Sequence, residues 1–405
     1  MDLKSGYPYW AINSGLMQAF PVLEADTRCD VVVVGGGITG ALIADELARG
    51  GHDVVLLEQR DIGWGSTAAS TALLQYEIDT HMIDLARQYD EDTAVLAYRA
   101  CVEAIPRLRR LAGQVRDVGF SPMQSLYYAS KRRHRRVLLE EFELRRRHGI
   151  DVEWLDGDAL QARFGIDAPG AILSATAARM DPYRMTWRLC GRLQRLGSRV
   201  HDRTCVSQIH TTSRAVHLRT TSGISVRAAH VVLAMGYANQ RWLRKRVARN
   251  RSSYAFISDP VATDMLGVLR DTMVWESARP YLYLRTTTDG RVLAGGEDDS
   301  VDVPARRDRR VEKKARGLME KVGELFPGLG LQPAFSWAGT FAETADGLPF
   351  FGPHPQWGPR VHFAMAYGGN GIVYSMLGAG LLRAGIERRA HPLSSLFSFK
   401  RVGIG

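Results

Sequence analysis

The chain has 405 residues, 45% of them hydrophobic and 24% charged, and a net charge of +10. That length supports two domains around a large core, and the composition excludes a disordered or fibrous protein. Cys29, Cys101, Cys190 and Cys205 form neither a CxxC motif nor a disulfide framework, so a reducing cytoplasm is the expected location.

The N-terminal stretch MDLKSGYPYWAINSGLMQAF is broken by Gly and Pro and lacks the continuous apolar segment of a signal peptide. From Asp30 the pattern sharpens into DVVVVGGGITGALIADELARGGHDVVLLEQ. Residues 31–34 are a β-branched run suited to a buried parallel strand. Gly35, Gly37 and Gly40 then give GxGxxG at the strand's end, with Ile38 and Thr39 inside it. Ala41, Ile43, Ala44, Leu47 and Ala48 have helical spacing, and Gly50-Gly51 stops the helix. A second strand, 53–57, ends in Glu58, 18 positions after Gly40, and Gln59 and Arg60 follow. The first glycine makes a tight turn, the second admits a pyrophosphate, and the third lets helix and strand approach. Helix N–H groups take the phosphates and Glu58 accepts from a ribose hydroxyl. Strand, glycines, helix, strand and acid in this order specify a dinucleotide site.

Farther along, GWGSTAAS (63–70) is small and polar and contains Gly65, Ser66 and Thr67. EDTAVLAYRACVEAIPRLRRLAG (91–113) reads as a helix with a kink at Pro106. SLYYAS (125–130), AILSAT (171–176), SYAFIS (253–258), TMVWES (272–277), YLYLRT (281–286) and RVLAGG (291–296) read as strands, several of them alternating as in an antiparallel sheet. Basic clusters occur at 131–136, 145–147, 241–251 and 306–314. They suit either a nucleic-acid surface or solvated helix faces; apolar Val137, Leu138, Leu139, Phe142 and Leu144, with Glu140, Glu141 and Glu143 beside the arginines, favour the second. ISVRAAHVVLAMGY (224–237) is a strand ending at Gly236. SWAGTFAETADGLPFFGP (336–353) precedes VHFAMAYGGNGIVYSMLGAGLL (361–382), which has no Lys, Arg, Asp or Glu and is long enough for a membrane span. Its block Gly368-Gly369-Asn370-Gly371 opens a second reading, a turn feeding a buried helix that starts near Ile372.

This order of motifs, above all TADGLP followed by GGNGI, resembles the FAD-dependent amine and amino-acid oxidoreductases that include glycine oxidase, sarcosine oxidase and D-amino-acid oxidase. The resemblance runs from about Asp30 to Ile386. It implies an α/β fold: a Rossmann-like FAD-binding domain (28–80, 180–240 and 336–390) and an antiparallel-sheet substrate domain (81–179 and 241–335), with terminal extensions at 1–27 and 391–405. It implies noncovalent FAD, contacted also by Val206, and no metal. It implies hydride transfer from a C–H beside nitrogen, with an amine or amino-acid-like substrate and dioxygen or another carrier as electron acceptor. Two further readings stay open: a flavoenzyme acting on a modified nucleoside in RNA, and a noncatalytic FAD-binding protein.

At several positions the chain departs from that family. Phe341 and Gly369 stand where glycine oxidase and D-amino-acid oxidase, or glycine oxidase alone, place a carboxylate-binding Arg. Gln75 and Glu77 stand near the Arg of sarcosine oxidase, whose flavin-linking Cys and oxygen-activating Lys fall near Gly339 and Leu293. A simple α-amino acid is therefore not the expected substrate. Arg285 shares a strand face with Tyr281 and Tyr283 and is a candidate acid ligand, or an edge residue facing solvent. Tyr254 and Tyr283 are candidate pocket residues, with core packing the equal alternative for Tyr254. Trp337 is expected in the core, and Gln75 and Glu77 are candidates for holding a cationic amine.

Overall fold

Thr27–Val34 is a central strand because its second half can be buried on both faces. Val31, Val32 and Val33 have no exposed surface. In the computed structural model, which describes residues 3–300 and 302–403, this strand lies between Ser225–Leu233 and Val54–Leu57 and is parallel to both. Val361–Met365 and Arg199–His201 extend the parallel layer on either side. Phe350–Pro353 returns antiparallel along Val361–Met365, while Val216–Thr220 and Val206–Thr211 form an antiparallel ribbon beside Ser225–Leu233. Helix Ile38–Arg49 turns Ala41, Ile43, Ala44 and Leu47 wholly inward and packs against helices Pro182–Arg195 and Gly371–Ile386.

Among the described residues the second sheet has ten strands. Lys4–Gly6, Pro333–Glu343, Arg249–Pro260, Arg291–Asp299, Leu282–Thr286, Thr272–Glu276, Ser121–Tyr128, Gly170–Arg179 and Leu73–Gln75 follow one another, with Val152–Asp156 also on Gly170–Arg179. The strands expected at 125–130, 171–176, 253–258, 272–277, 281–286 and 291–296 are all in it, whereas the one expected at 224–237 is in the first sheet. The sheet is mixed rather than wholly antiparallel, because Thr272–Glu276 runs parallel to Ser121–Tyr128. A parallel neighbour needs a long crossover, and here the intervening chain passes through the first sheet before it returns. Helix Pro304–Leu325 covers one face of the second sheet with Val311, Ala315, Leu318 and Val322.

Strand pairing ties in the described N-terminal residues, and burial ties in those near the C-terminus. Lys4–Gly6 pairs with Pro333–Glu343, and Leu393, Leu396, Phe397 and Phe399 are buried. Neither end is a detached extension. Glu91–Val115 is one helix of 25 residues that continues through Pro106. The uncharged stretch 361–382 divides into a strand, a glycine turn and the helix Gly371–Ile386, and no helix among the described residues is long and apolar enough to cross a membrane.

The basic helix Arg132–Arg147 departs from a simple solvated face. Arg136 and Glu140 are exposed, but Glu141 and Arg145 have no exposed surface. Glu141 accepts from the main-chain N–H of Met82 at 2.9 Å, of Ile83 at 3.0 Å, and from Arg145 Nε at 2.8 Å. Much of the 306–314 cluster is likewise engaged: Arg307 with Asp302, Arg310 with Asp299, and Lys314 with Glu297.

Candidate functional site

Three glycines at the end of Thr27–Val34 do different work. Gly35 sits at φ +117°, and a Cβ there would lie 2.4 Å from the carbonyl oxygen of Ala234. A Cβ on Gly40 would lie 1.8 Å from the carbonyl oxygen of Gly35, so only glycine lets the helix approach the strand. Gly37 is open except for Thr67 Oγ1 at 3.0 Å and lines a cavity between the two sheets. It caps helix Ile38–Arg49 without a side-chain acceptor. Ile38 N donates to Thr67 Oγ1 at 2.9 Å, and Ile38 and Thr39 line the cavity. A helix N-terminus presented in this way fits a phosphate.

Glu58 lines the same end of the cavity, with Gln59, Arg60, Cys205 and Val206. Its carboxylate accepts from the N–H of Gly36 at 2.7 Å and of Arg60 at 2.9 Å. Burial pushes the carboxyl above its ordinary range, against those two hydrogen bonds, which pull it down. Gly65, Ser66 and Thr67 line the middle, from the start of the short helix Ser66–Ala69. Gly236 lines it from the opposite side, at φ +57°, where the 3-10 helix Gly236–Trp242 begins.

The turn before the last helix closes the far end. Gly368, at φ +92°, donates its N–H to Ala342 O at 2.8 Å, and Gly369 N donates to Asp79 Oδ2 at 2.8 Å. Asn370 Nδ2 donates to the main-chain oxygen of Glu77. Gly368, Gly369, Asn370, Gly371 and Ile372 all line the cavity, and Asn370 gives helix Gly371–Ile386 no side-chain cap. Two helix N-termini therefore open into one space. Thr39 Oγ1 and Ser375 Oγ, 2.8 Å apart, join the two helices. A carboxylate at one end, bare helix N–H groups in the middle and a glycine turn at the other end fit an extended dinucleotide carrying a planar ring.

Among the candidates for the substrate, Gln75 and Tyr283 line the cavity. Tyr254 lines it as well, and two others, Arg285 and Glu77, are corrected by the structure. Arg285 is buried in a central strand rather than on an edge, and it donates to the main-chain oxygens of Thr71, Thr286 and Met180. It shares a face with Tyr281 and Tyr283, but Trp10 from the N-terminal segment covers that end, 5.3 Å from the guanidinium. Glu77 is buried behind the cavity wall, its carboxylate 4.0 Å from Arg145. Tyr254 belongs to the cavity wall, but its hydroxyl donates to Asp299 at 2.8 Å, on the side of the sheet that faces helix Pro304–Leu325. Trp337 is wholly buried, donates to Ala69 O at 2.8 Å and also forms part of the wall.

The wall contains residues that motif reading missed: Asp79, Tyr237, Trp275 and Asp298, with Tyr281 beside Tyr283. Trp275 is fixed by a stacked Tyr127 at 3.6 Å and by its donation to Ser125 Oγ at 3.1 Å. Phe341 and Gly369 also line the cavity, and no lysine does so among the described residues.

Residues 30–384 match the family described as FAD dependent oxidoreductase (DAO). The chain is 29% identical to gamma-glutamylputrescine oxidoreductase of Escherichia coli over 396 residues, covering 94% of this chain and 89% of that protein. It is 28% identical to glycine oxidase of Geobacillus kaustophilus over 383 residues, covering 92% and 96%. The crystal structure of a glycine oxidase from Geobacillus kaustophilus superposes with a TM-score of 0.78 at 22% identity, over 92% of this chain and 99% of that one. An L-proline dehydrogenase from P. horikoshii superposes with the same TM-score at 18% identity, over 94% and 99%.

Proposed function

On the premise that the chain belongs to the FAD-dependent oxidoreductase family, we propose that it oxidises the C–N bond of an amine other than a simple α-amino acid. The observation that carries this reading is the continuity of the cavity from Glu58 and the GxGxxG turn to Gly368–Gly371 and an aromatic, acidic wall. Bound FAD supplies a hydride acceptor for the carbon beside nitrogen, and the resulting imine is hydrolysed by water. The protein's share is binding, orientation and exclusion of water. Ile38 and Thr39 would hold the diphosphate at the helix N-terminus, and Glu58 would accept from the adenosine ribose. The turn at 368–371 would hold the flavin, and the N-terminus of helix Gly371–Ile386 would favour negative charge on it. Trp275, Tyr281, Tyr283 and Phe341 enclose the amine. The cofactor is held noncovalently: Cys205, the cavity's cysteine, sits beside Gln59 at the end remote from the glycine turn.

The ribose contact has a direct test. Glu58→Ala should weaken FAD binding by about 1.5–3 kcal/mol, the scale of a charged hydrogen bond. Titration of the apoprotein with FAD measures this, and an unchanged Kd would place the ribose elsewhere.

Amine chemistry is tested by anaerobic bleaching of the bound flavin, followed by steady-state rates with an artificial electron acceptor. Amines should bleach it. Glycine and sarcosine should give kcat/KM below about 10⁴ M⁻¹s⁻¹, the low end for ordinary enzymes, because Phe341 and Gly369 offer their carboxylates no cation. Faster turnover of either would overturn the exclusion of simple α-amino acids.

A further inference from the structure

Strand Arg291–Asp299 ends in three consecutive acids with different surroundings. Glu297, at φ +54°, turns toward helix Pro304–Leu325, where Lys314 Nζ lies 3.1 Å away and Lys321 also bonds it. Asp299 accepts from Tyr254 Oη at 2.8 Å and from Arg310 Nη1 at 2.7 Å. Asp298, between them, points to the opposite face, as strand alternation requires, and lines the cavity. Its Oδ1 is buried without a hydrogen-bond donor. The pairing with Arg249–Pro260 shifts register here, and bulges of this kind re-aim side chains at functional sites. Gly295 makes the room: a Cβ there would lie 2.4 Å from Tyr283 Oη.

Asp79 is the second acid in the wall. While Oδ2 accepts from Gly369 N, Oδ1 lies 3.4 Å from Tyr281 Oη. The rings of Tyr281 and Tyr283 are 5.7 Å apart. Both phenols are raised by burial first, and both carboxylates add to the rise, as expected for rings lying near Asp79 and Asp298. The nearby cation is Arg279, which is exposed, lies 4.3 Å over the ring of Tyr281 and donates to the main-chain oxygen of Asp79. It forms no ion pair with either carboxylate among the described residues. Arg241 also lines the cavity, with its guanidinium over Trp242.

Two carboxylates repel a substrate carboxylate and attract an ammonium, and aromatic faces strengthen that preference. We propose that the substrate is a diamine, one C–N bond of which is oxidised at the flavin while the other nitrogen, as an ammonium, is held by Asp298 and Asp79 against Tyr281 and Tyr283. This rests on the amine-oxidising reading above and names the substrate class of the same site. Asp298 selects by charge, since an ordinary monoamine cannot occupy the acidic wall and reach the flavin at once.

The test compares 1,4-diaminobutane, n-butylamine and 4-aminobutanoate on the holoenzyme, with an artificial electron acceptor. The diamine should exceed n-butylamine in kcat/KM by about ten- to 150-fold, the factor for one charged hydrogen bond, and 4-aminobutanoate should be slowest. Burial first, with Glu343 and Asp79 adding to it and Ser253 and Arg279 opposing, raises Asp298 to about 6. The diamine's advantage should therefore grow as pH rises through about 6 and Asp298 ionises, while both substrates remain protonated. Asp298→Asn should collapse the ratio toward unity and flatten that pH dependence. Equal kcat/KM for diamine and monoamine in the wild type would overturn the inference without using any variant. So would a preference for 4-aminobutanoate, or an equal loss on both amines in Asp298→Asn. If no amine bleaches the flavin, the proposed function falls as well; if amines bleach it without regard to charge, only the diamine assignment falls.

Discussion

Glu141→Ala is expected to destabilise the protein by about 3–5 kcal/mol, the scale for removing one partner of a buried ion pair. The reason is the position of Arg145, whose guanidinium has no exposed surface. Glu141 lies 2.8 Å from it, whereas Glu77 stands at 4.0 Å. The same Glu141 carboxylate holds the N–H groups of Met82 and Ile83 at the start of helix Met82–Gln88. Alanine would leave a buried cation and two donors without their acceptor. Tyr76 and Tyr98 present ring faces to Arg145 at 5.6 and 5.3 Å, which offsets only part of that loss.

The pH dependence has a definite sign. Burial alone would raise Glu141, but Arg145, His81 and the two N–H donors outweigh it and hold the carboxyl below its ordinary value of 4.5. Its stabilisation is therefore complete above the unfolded-state value and is lost as pH falls through the lower folded-state value. Glu77 behaves in the opposite direction, pushed up chiefly by burial, because Arg145 is committed to Glu141. Denaturant unfolding of wild type and Glu141→Ala should differ by a constant amount above about pH 5 and converge in more acid solution. A difference below about 1 kcal/mol near neutrality would mean that Arg145 is compensated elsewhere.

The contrast between the two ends of the cavity follows from how far apart in the chain their residues lie. The end of the cavity beside Glu58 could be read from residues 30–60 because each part of it is local. A β-branched run, three glycines at fixed spacing, a helix and an acid encode their geometry by adjacency. The turn at 368–371 was legible for the same reason. The substrate wall gathers Asp79, Tyr237, Trp275, Tyr281 and Asp298 from separate segments, and only strand pairing brings them together. Alternation put Tyr281, Tyr283 and Arg285 on one face, but it could not reveal that Trp10 covers Arg285. At Glu77 the strand Leu73–Gln75 has already ended, and the chain turns Glu77 toward Arg145 and Asp79 toward the cavity. In the acidic triplet 297–299, a sequence signal was present. Two of its members find cations on the following helix, but which one was left over depended on the register shift with Arg249–Pro260.

Gly40→Ala and Gly37→Ala should both lose FAD, yet only the first should damage the fold. A methyl group on Gly40 would meet the carbonyl oxygen of Gly35 at 1.8 Å, and that oxygen belongs to a backbone packed against Ala234. Relief requires the helix Ile38–Arg49 to move away from its strand. Movement would disturb its contacts with helices Pro182–Arg195 and Gly371–Ile386, at about 1–3 kcal/mol for overpacking of this kind. The helix N-terminus would shift with it, so FAD affinity should fall at least about 100-fold, equivalent to about 2.7 kcal/mol. At Gly37 the backbone is extended, with φ −81° and ψ −178°, which alanine adopts without strain. The contact its Cβ would make is Thr67 Oγ1 at 3.0 Å, a side chain that can rotate. Apo Gly37→Ala should therefore unfold within about 1 kcal/mol of wild type while its methyl group occupies the approach of the diphosphate. Thermal or denaturant unfolding of the two apoproteins, with FAD titration of each, separates the roles. If Gly37→Ala binds FAD as wild type does, the diphosphate does not pass over that glycine. If apo Gly40→Ala is as stable as wild type, the close approach of helix and strand is not what fixes Gly40 as glycine.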